Sequence, residues 1–175
     1  IERTQKNRVT MSIFDQILDI VYTEKVREDE GGTYGVSSRG SIARYPANQT
    51  ILQIMYDTDP AKMEHLNAIV HKELKDIAVN GPRTEDFNKV KEFMNKKYSE
   101  NIKQNGYWLG TLDTYYFYNE DNHSDYLTVL NSITMDDVKE FVAELLAQEN
   151  EVVISMMPHE VEEAVEEVLE EVIEE

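Results

Sequence analysis

Val26-Arg27-Glu28-Asp29-Glu30-Gly31-Gly32-Thr33-Tyr34-Gly35-Val36 is the stretch in which the pattern of the chain changes. Upstream of it, Met11, Ile13, Phe14, Ile17, Leu18, Ile20 and Val21 recur at helical spacing. They predict an amphipathic helix from Thr10 to about Arg27 with a broad apolar face. Gly31 and Gly32 end it and turn the backbone. From Thr33 to Tyr45 the pattern alternates loosely instead, with Tyr34, Val36 and Ile42 on one side and Thr33, Ser37, Arg39 and Ser41 on the other. The junction between these elements therefore presents a guanidinium and a phenol, Arg27 and Tyr34. Both are good donors to a peptide carbonyl. The plainer reading has Arg27 facing the helix C-terminus and Tyr34 in a cross-strand pair.

Working outward, Pro46-Ala47-Asn48 is a turn, and Thr50 to Asp57 reads as the return strand of a β-hairpin. Asp59-Pro60 opens a second helix, as cap and first-turn residue. Its buried stripe is Met63, Leu66, Ile69, Val70, Leu74 and Ile77, and Asn80-Gly81-Pro82 ends it. Thr84 is expected to cap a third helix, whose inner face is Phe87, Val90, Met94 and Tyr98. The aromatic-rich segment Tyr107 to Tyr118 reads as helical core packing with hydrogen-bonded polar tips. A short helix from Asp125 to Leu130 follows. Thr134-Met135-Asp136-Asp137 resembles a capping box before a helix through Leu146. Glu151 to Met157 reads as a last strand, buried on both faces. Segregated strands and helices predict an α+β fold: a mostly antiparallel sheet with helices packed on one face. Three strands make a thin sheet for so many helices, so further strands are expected upstream of Ile1, the fold being truncated at its N-terminus.

The 175 residues suit one domain, here 1–158, followed by an acidic amphipathic tail, 159–175. Residues 160–175 hold nine Glu and no Lys or Arg, half of the formal charge of −18. Valines at 161, 165, 168 and 172 line one side of that tail, yet its Glu–Glu pairs four apart oppose helix formation. An acidic body and tail repel phosphate backbones and anionic bilayers, which argues against nucleic-acid and membrane binding. No apolar run is long enough to span a bilayer. The absence of cysteine excludes disulfides, thiolate metal sites and cysteine nucleophiles.

Self-sufficient catalysis finds no support in the motifs. Neither His-Glu-x-x-His nor its inverse, His-x-x-Glu-His, occurs. His65 and His71 lie six apart, on different faces of their helix, and His123 and His159 sit outside helices. There is no Gly-x-Ser-x-Gly, and the glycines near Tyr34 follow a helix and precede no Lys-Ser/Thr, so they form no phosphate loop. Arg27 and Tyr34 remain the candidate site.

The run around those two residues resembles the Arg-Glu-…-Gly-…-Tyr-x-Val segment in C-terminal domains of the pitrilysin (insulinase) family of zinc metallopeptidases. Pro82-Arg83-Thr84-Glu85-Asp86-Phe87 is similar to the family's helix start, and Asn105-Gly106-Tyr107-Trp108-Leu109 to an Asn-x-x-Trp-Leu segment of bacterial members. Ile133-Thr134-Met135-Asp136-Asp137-Val138 and Val152-Val153-Ile154 resemble the start of the last helix and the closing strand. The resemblance spans about residues 10–158. It implies a two-halved clamshell, with zinc held in an N-terminal half by His-x-x-Glu-His and a downstream Glu. The zinc-free C-terminal half closes over a peptide. Arg27 and Tyr34 match the pair that reaches the substrate and stabilises the oxyanion formed when zinc-bound water attacks. No cofactor is then expected on this chain. The implied partners are a peptide substrate and the N-terminal catalytic half of the same protein. The bacterial relatives imply a periplasmic or envelope location. A non-catalytic relative serving as an assembly scaffold is the alternative, separated from the first by whether His-x-x-Glu-His stands upstream. An open sheet edge would also predict self-association.

Overall fold

Thr4 begins the first helix, its hydroxyl accepting the backbone N–H of Asn7 at 3.1 Å. The computed structural model describes residues 1–31 and 33–157. Helix α1 runs Gln5–Tyr22, about five residues earlier than the apolar spacing predicts, because its first turn is polar and its cap sets the start. Ile13, Phe14, Ile17, Leu18 and Tyr22 are fully buried, so α1 is the centre of the molecule. It does not end at Arg27 as a plain α-helix. A π-helical turn, Thr23–Glu28, continues it, closed by Asp29 N–H donating to Glu24 O at 2.9 Å. Gly31 then turns the chain with φ of 54°.

Strands β1 (Val36–Ala43) and β2 (Gln49–Tyr56) form the expected antiparallel hairpin. The register pairs Val36 with Tyr56, Ser38 with Ile54 and Gly40 with Leu52. These even-numbered residues share a face, and those with apolar side chains pack on the core that α1 dominates. The helix reaches the strand through carboxylates. Asp15 Oδ1 accepts the Ser38 hydroxyl at 2.7 Å and the Gly40 N–H at 3.1 Å, and Asp19 Oδ1 accepts the Ser38 N–H at 3.0 Å. The outer edge of β1 is thereby occupied by side chains of α1. The outer edge of β2 has no strand beside it among the described residues.

The other helices cover the remaining faces of α1. Helix α2 (Met63–Asn80) is preceded by a 3-10 turn, where Asp59 Oδ1 accepts the Ala61 N–H at 2.8 Å. Leu66, Val70, Leu74 and Ile77 are its buried stripe, and Gly81 at φ 81° ends it. Its Val70 carbonyl accepts the buried Tyr22 hydroxyl at 3.3 Å, and burial pushes that phenol far above its ordinary range. Helix α3 (Thr84–Asn101) buries Phe87, Val90 and Met94 as predicted. Thr84 does not cap it. Arg83 holds the cap position, with Thr84 already helical, because Pro82 and Arg83 complete the turn one residue earlier than expected. Helix α5 (Tyr126–Ser132) and helix α6 (Met135–Leu146) close the bundle, and Thr134 with Asp137 forms the predicted capping box.

Two further expectations fail. Helix α4 (Asn105–Tyr118) has no buried residue: Leu109 and Phe117 are each 72% exposed. Its apolar side chains surround the helix, so no single face is selected for burial. Residues 151–157 are not a strand and are not buried, with Ile154 82% exposed. An extended segment needs a neighbouring strand to take up its backbone groups, and none lies alongside among the described residues. The valine stripe of the tail lies outside the described residues. No described helix is long and apolar enough to cross a membrane.

Gly40 lets α1 and β1 close. A Cβ there would lie 2.7 Å from Met11 Cγ, and Met11 is buried. Gly40→Ala is expected to destabilise the fold by about 1–3 kcal/mol in urea denaturation; unchanged stability would show that Met11 has room to move. The half-buried Asp15 carboxyl is held above its ordinary pKa, by desolvation first and by Asp19 second, against the bonds from Ser38 and Gly40. A raised carboxyl pKa in the folded state means that ionisation costs stability as pH rises through it. Asp15→Asn keeps an acceptor and drops the charge. Its melting temperature relative to the unsubstituted chain should therefore rise as pH increases above about 3.9, the ordinary carboxyl value of the unfolded chain. A difference independent of pH would contradict that sign.

Candidate substrate-binding site

The π turn and the loop after it form a platform held from several sides. Glu24 is bridged by Lys25 at 2.9 Å and by Arg83 of the α2–α3 link at 2.7 Å. Those two hydrogen bonds, Lys25 first, hold the Glu24 carboxyl below its usual range. Arg83 also reaches the buried Asp86 at 2.5 Å, which ties the turn to the base of α3. Lys25 closes on Asp29 at 3.0 Å. Farther along, His65 Nε2 hydrogen-bonds Glu30 at 2.9 Å, and the Lys62 ammonium donates to the carbonyls of Glu30 (3.5 Å) and Gly31 (3.4 Å). Thr33 finishes the loop: its Oγ1 donates to the Gly35 carbonyl (2.7 Å), lies 3.0 Å from Asp57 Oδ1, and accepts the Gly35 N–H at 3.1 Å.

Arg27 lies in the last stretch of the π turn and Tyr34 between Thr33 and Gly35, just before β1. Both are exposed, Tyr34 at 93%. Neither the guanidinium nor the phenol has an ion pair or hydrogen bond among the described residues. Every other cation around the turn (Lys25, Lys62, Arg83) is engaged. The plainer reading of Tyr34 as a cross-strand partner does not apply, because β1 starts two residues later. The supports of the platform, above all Glu24 with Arg83 and Thr33 with Asp57, escape sequence reading. They join residues 24 to 59 positions apart, whereas the Arg83–Asp86 and Lys25–Asp29 pairs, at i,i+3 and i,i+4, are visible locally.

A zinc ion does not fit the side chains of the described residues. Among the described residues, no three His, Asp or Glu groups converge in a way that could hold a metal. His65 is engaged with Glu30, His71 Nε2 lies 3.1 Å from Glu151, and His123 Nδ1 lies 2.7 Å from the Tyr107 hydroxyl. His159 lies outside the described residues. What the platform offers chemically is two hydrogen-bond donors, one of them charged, on a braced backbone.

Comparison with known proteins gives the setting of this platform. The family model described as the peptidase M16 inactive domain matches residues 2–94, more than half of the chain and the whole of the platform. Among solved structures, the chain is similar to the periplasmic protease PqqL from Escherichia coli (16% identity, TM-score 0.68), covering 81% of this chain and 16% of that one. A protease from Helicobacter pylori aligns at 13% identity and TM-score 0.69, over 79% of this chain and 34% of that one. The ferredoxin protease FusC, solved in complex with Arabidopsis ferredoxin, aligns at 16% identity and TM-score 0.67, over 82% and 16%. At these identities the likeness is one of fold. The chain spans between about a sixth and a third of the length of these proteins. No curated protein sequence matches the chain.

Proposed function

Because the chain belongs to the peptidase M16 inactive-domain family, we propose that it is the substrate-binding C-terminal domain of a larger zinc-dependent peptidase, in which Arg27 and Tyr34 hold the peptide backbone. The observation that carries this reading is the pair of free donors on a braced platform. Lys25, Lys62, Arg83 and Thr33 spend their hydrogen bonds immobilising the segment. Arg27 and Tyr34 spend none among the described residues, so their side chains are available to a ligand while the segments on either side are braced. A peptide carbonyl accepts from both a guanidinium and a phenol, and neither donor needs to change protonation state to hold it.

In this reading, the zinc ligands and the general base belong to a different part of the protein, the catalytic half. That suits a chain whose own histidines are dispersed and whose similar solved structures are about two to five times longer. The exposed apolar side chains of α4 are the type of surface that packs against a second domain.

In the intact peptidase, Arg27→Ala and Tyr34→Phe should each lower kcat/KM for a peptide substrate by about tenfold to a hundredfold, the range for losing a hydrogen bond of this kind. Zinc content measured by atomic absorption should stay unchanged. Undiminished kcat/KM in both variants would remove the assigned role. The 175-residue chain by itself exposes the edge of β2 and the apolar segment 151–157, and it should self-associate. Sedimentation velocity over rising concentrations would show this as an increasing sedimentation coefficient, and a monomer throughout would count against it.

A further inference from the structure

At the other end of α1, roughly 28 Å along the helix from Arg27 at 1.5 Å per residue, lies a cavity of about 390 Å³ between α1, α3, α4, α5 and the loop before α5. This is in the lower part of the range for small-molecule sites, about 300–1,000 Å³. Its walls carry Arg8, Lys97, Asn122 and the rings of Tyr98, Tyr107 and Tyr126. In a chain with 35 acidic residues against 17 basic ones, no Asp or Glu lines it.

Arg8 is the unusual member. Its guanidinium is half-buried and has neither an ion pair nor a hydrogen bond among the described residues. Desolvation, and then repulsion from Arg3, disfavour its charge, while attraction from Glu120 only partly offsets them. Glu120 is engaged elsewhere: Arg3 bonds to both of its oxygens, and Arg44 lies 3.5 Å from one. A partly desolvated guanidinium gains most from an anion placed against its fork. Lys97, exposed at the rim and also unpaired among the described residues, adds a second positive charge. Asn122 lines the cavity, and its Oδ1, sealed from solvent and without a hydrogen-bond partner among the described residues, becomes an acceptor for a ligand N–H once the amide turns toward the cavity. Tyr98 stacks on Tyr126 with ring centroids 4.9 Å apart, and Tyr107 meets Tyr98 edge-on at 6.1 Å. These rings form an apolar wall.

An anion site, an N–H acceptor and an aromatic wall within one small cavity describe the three parts of a terminal amino-acid residue. We propose that this cavity binds the C-terminal residue of a peptide, its carboxylate on Arg8 and Lys97, its backbone N–H on Asn122 and an apolar or aromatic side chain against the tyrosines. The site is distinct from the Arg27–Tyr34 platform and stands or falls separately.

The probes are N-acetyl-L-phenylalanine, its amide, and 3-phenylpropionate, which keeps the carboxylate and ring but lacks the N–H. Each is titrated into the ¹⁵N-labelled 175-residue chain, with shifts followed at Arg8, Asn122 and Tyr126. The acid should saturate with a dissociation constant of about 1 mM or tighter, and the amide and phenylpropionate should each bind at least about fivefold more weakly. Arg8→Gln should abolish binding, Lys97→Gln should weaken it about threefold, and Lys72→Gln on α2 should leave it unchanged. Lys97 is exposed, so its variant tests the site even if Arg8→Gln perturbs folding. No saturable shift by about 20 mM acid, or equal binding of acid and amide, would overturn the proposal. Phenylpropionate binding as tightly as the acid would overturn the assignment to a peptide end.

Discussion

Two carboxylates on one helix hold the fold in its present arrangement. Asp15 and Asp19 accept the hydroxyl of Ser38 and the backbone N–H groups of Ser38 and Gly40. They do for β1 what a third strand would otherwise do. Because the bonds reach backbone atoms, they fix where the hairpin sits along α1 as well as how closely it lies. The elements on either side of Tyr34 are both anchored, since α1 continues into the π turn on one side and β1 is tied to α1 on the other. This attachment costs something in charge, because Asp15 is partly desolvated and faces Asp19.

The same helix organises both ends of the molecule. Its middle is wholly apolar toward the core, and that burial fixes the helix axis against α3, α5 and α6. Its C-terminal end presents Arg27 to solvent. Its N-terminal end presents Arg8 to a cavity that four other elements complete. Arg3, nearby, is neutralised by Glu120 and also donates to the Ile42 carbonyl at 3.0 Å. Of the three arginines of this helix region, one is structural, and two are left with unused hydrogen-bonding capacity among the described residues.

Much of the fold was legible because local chemistry decided it. The stripe of α2, the Asp59 cap and the Thr134–Asp137 box are short-range signals, and each appears where its pattern places it. The start of α1 was missed because Gln5, Lys6, Asn7 and Arg8 carry no apolar periodicity, although Thr4 supplied a cap. Residues 151–157 misled for the opposite reason, since an apolar run states a tendency that only a neighbouring strand can realise. The rings of α4 were equally ambiguous. Arg27 and Tyr34 could be singled out by their place between a helix and a strand. The supports beneath them, and the cavity around Arg8, depend on contacts between residues far apart in sequence. One hint was available for the helix–hairpin tie. Aspartates four apart repel on a helix, and such a pair is retained more readily where backbone donors face it.

The π turn has a consequence for how this segment can change over time. A wide turn holds one more residue than an α-helical turn occupying the same place, so its length, more than its side chains, sets the direction in which Arg27 leaves the axis. Deleting a single residue between Thr23 and Glu28 would restore ordinary helical winding and change the direction in which the guanidinium leaves the axis. A point substitution in this turn leaves that length unchanged. Among descendants of this chain, gaps in the alignment should be rarer here than changes of letter.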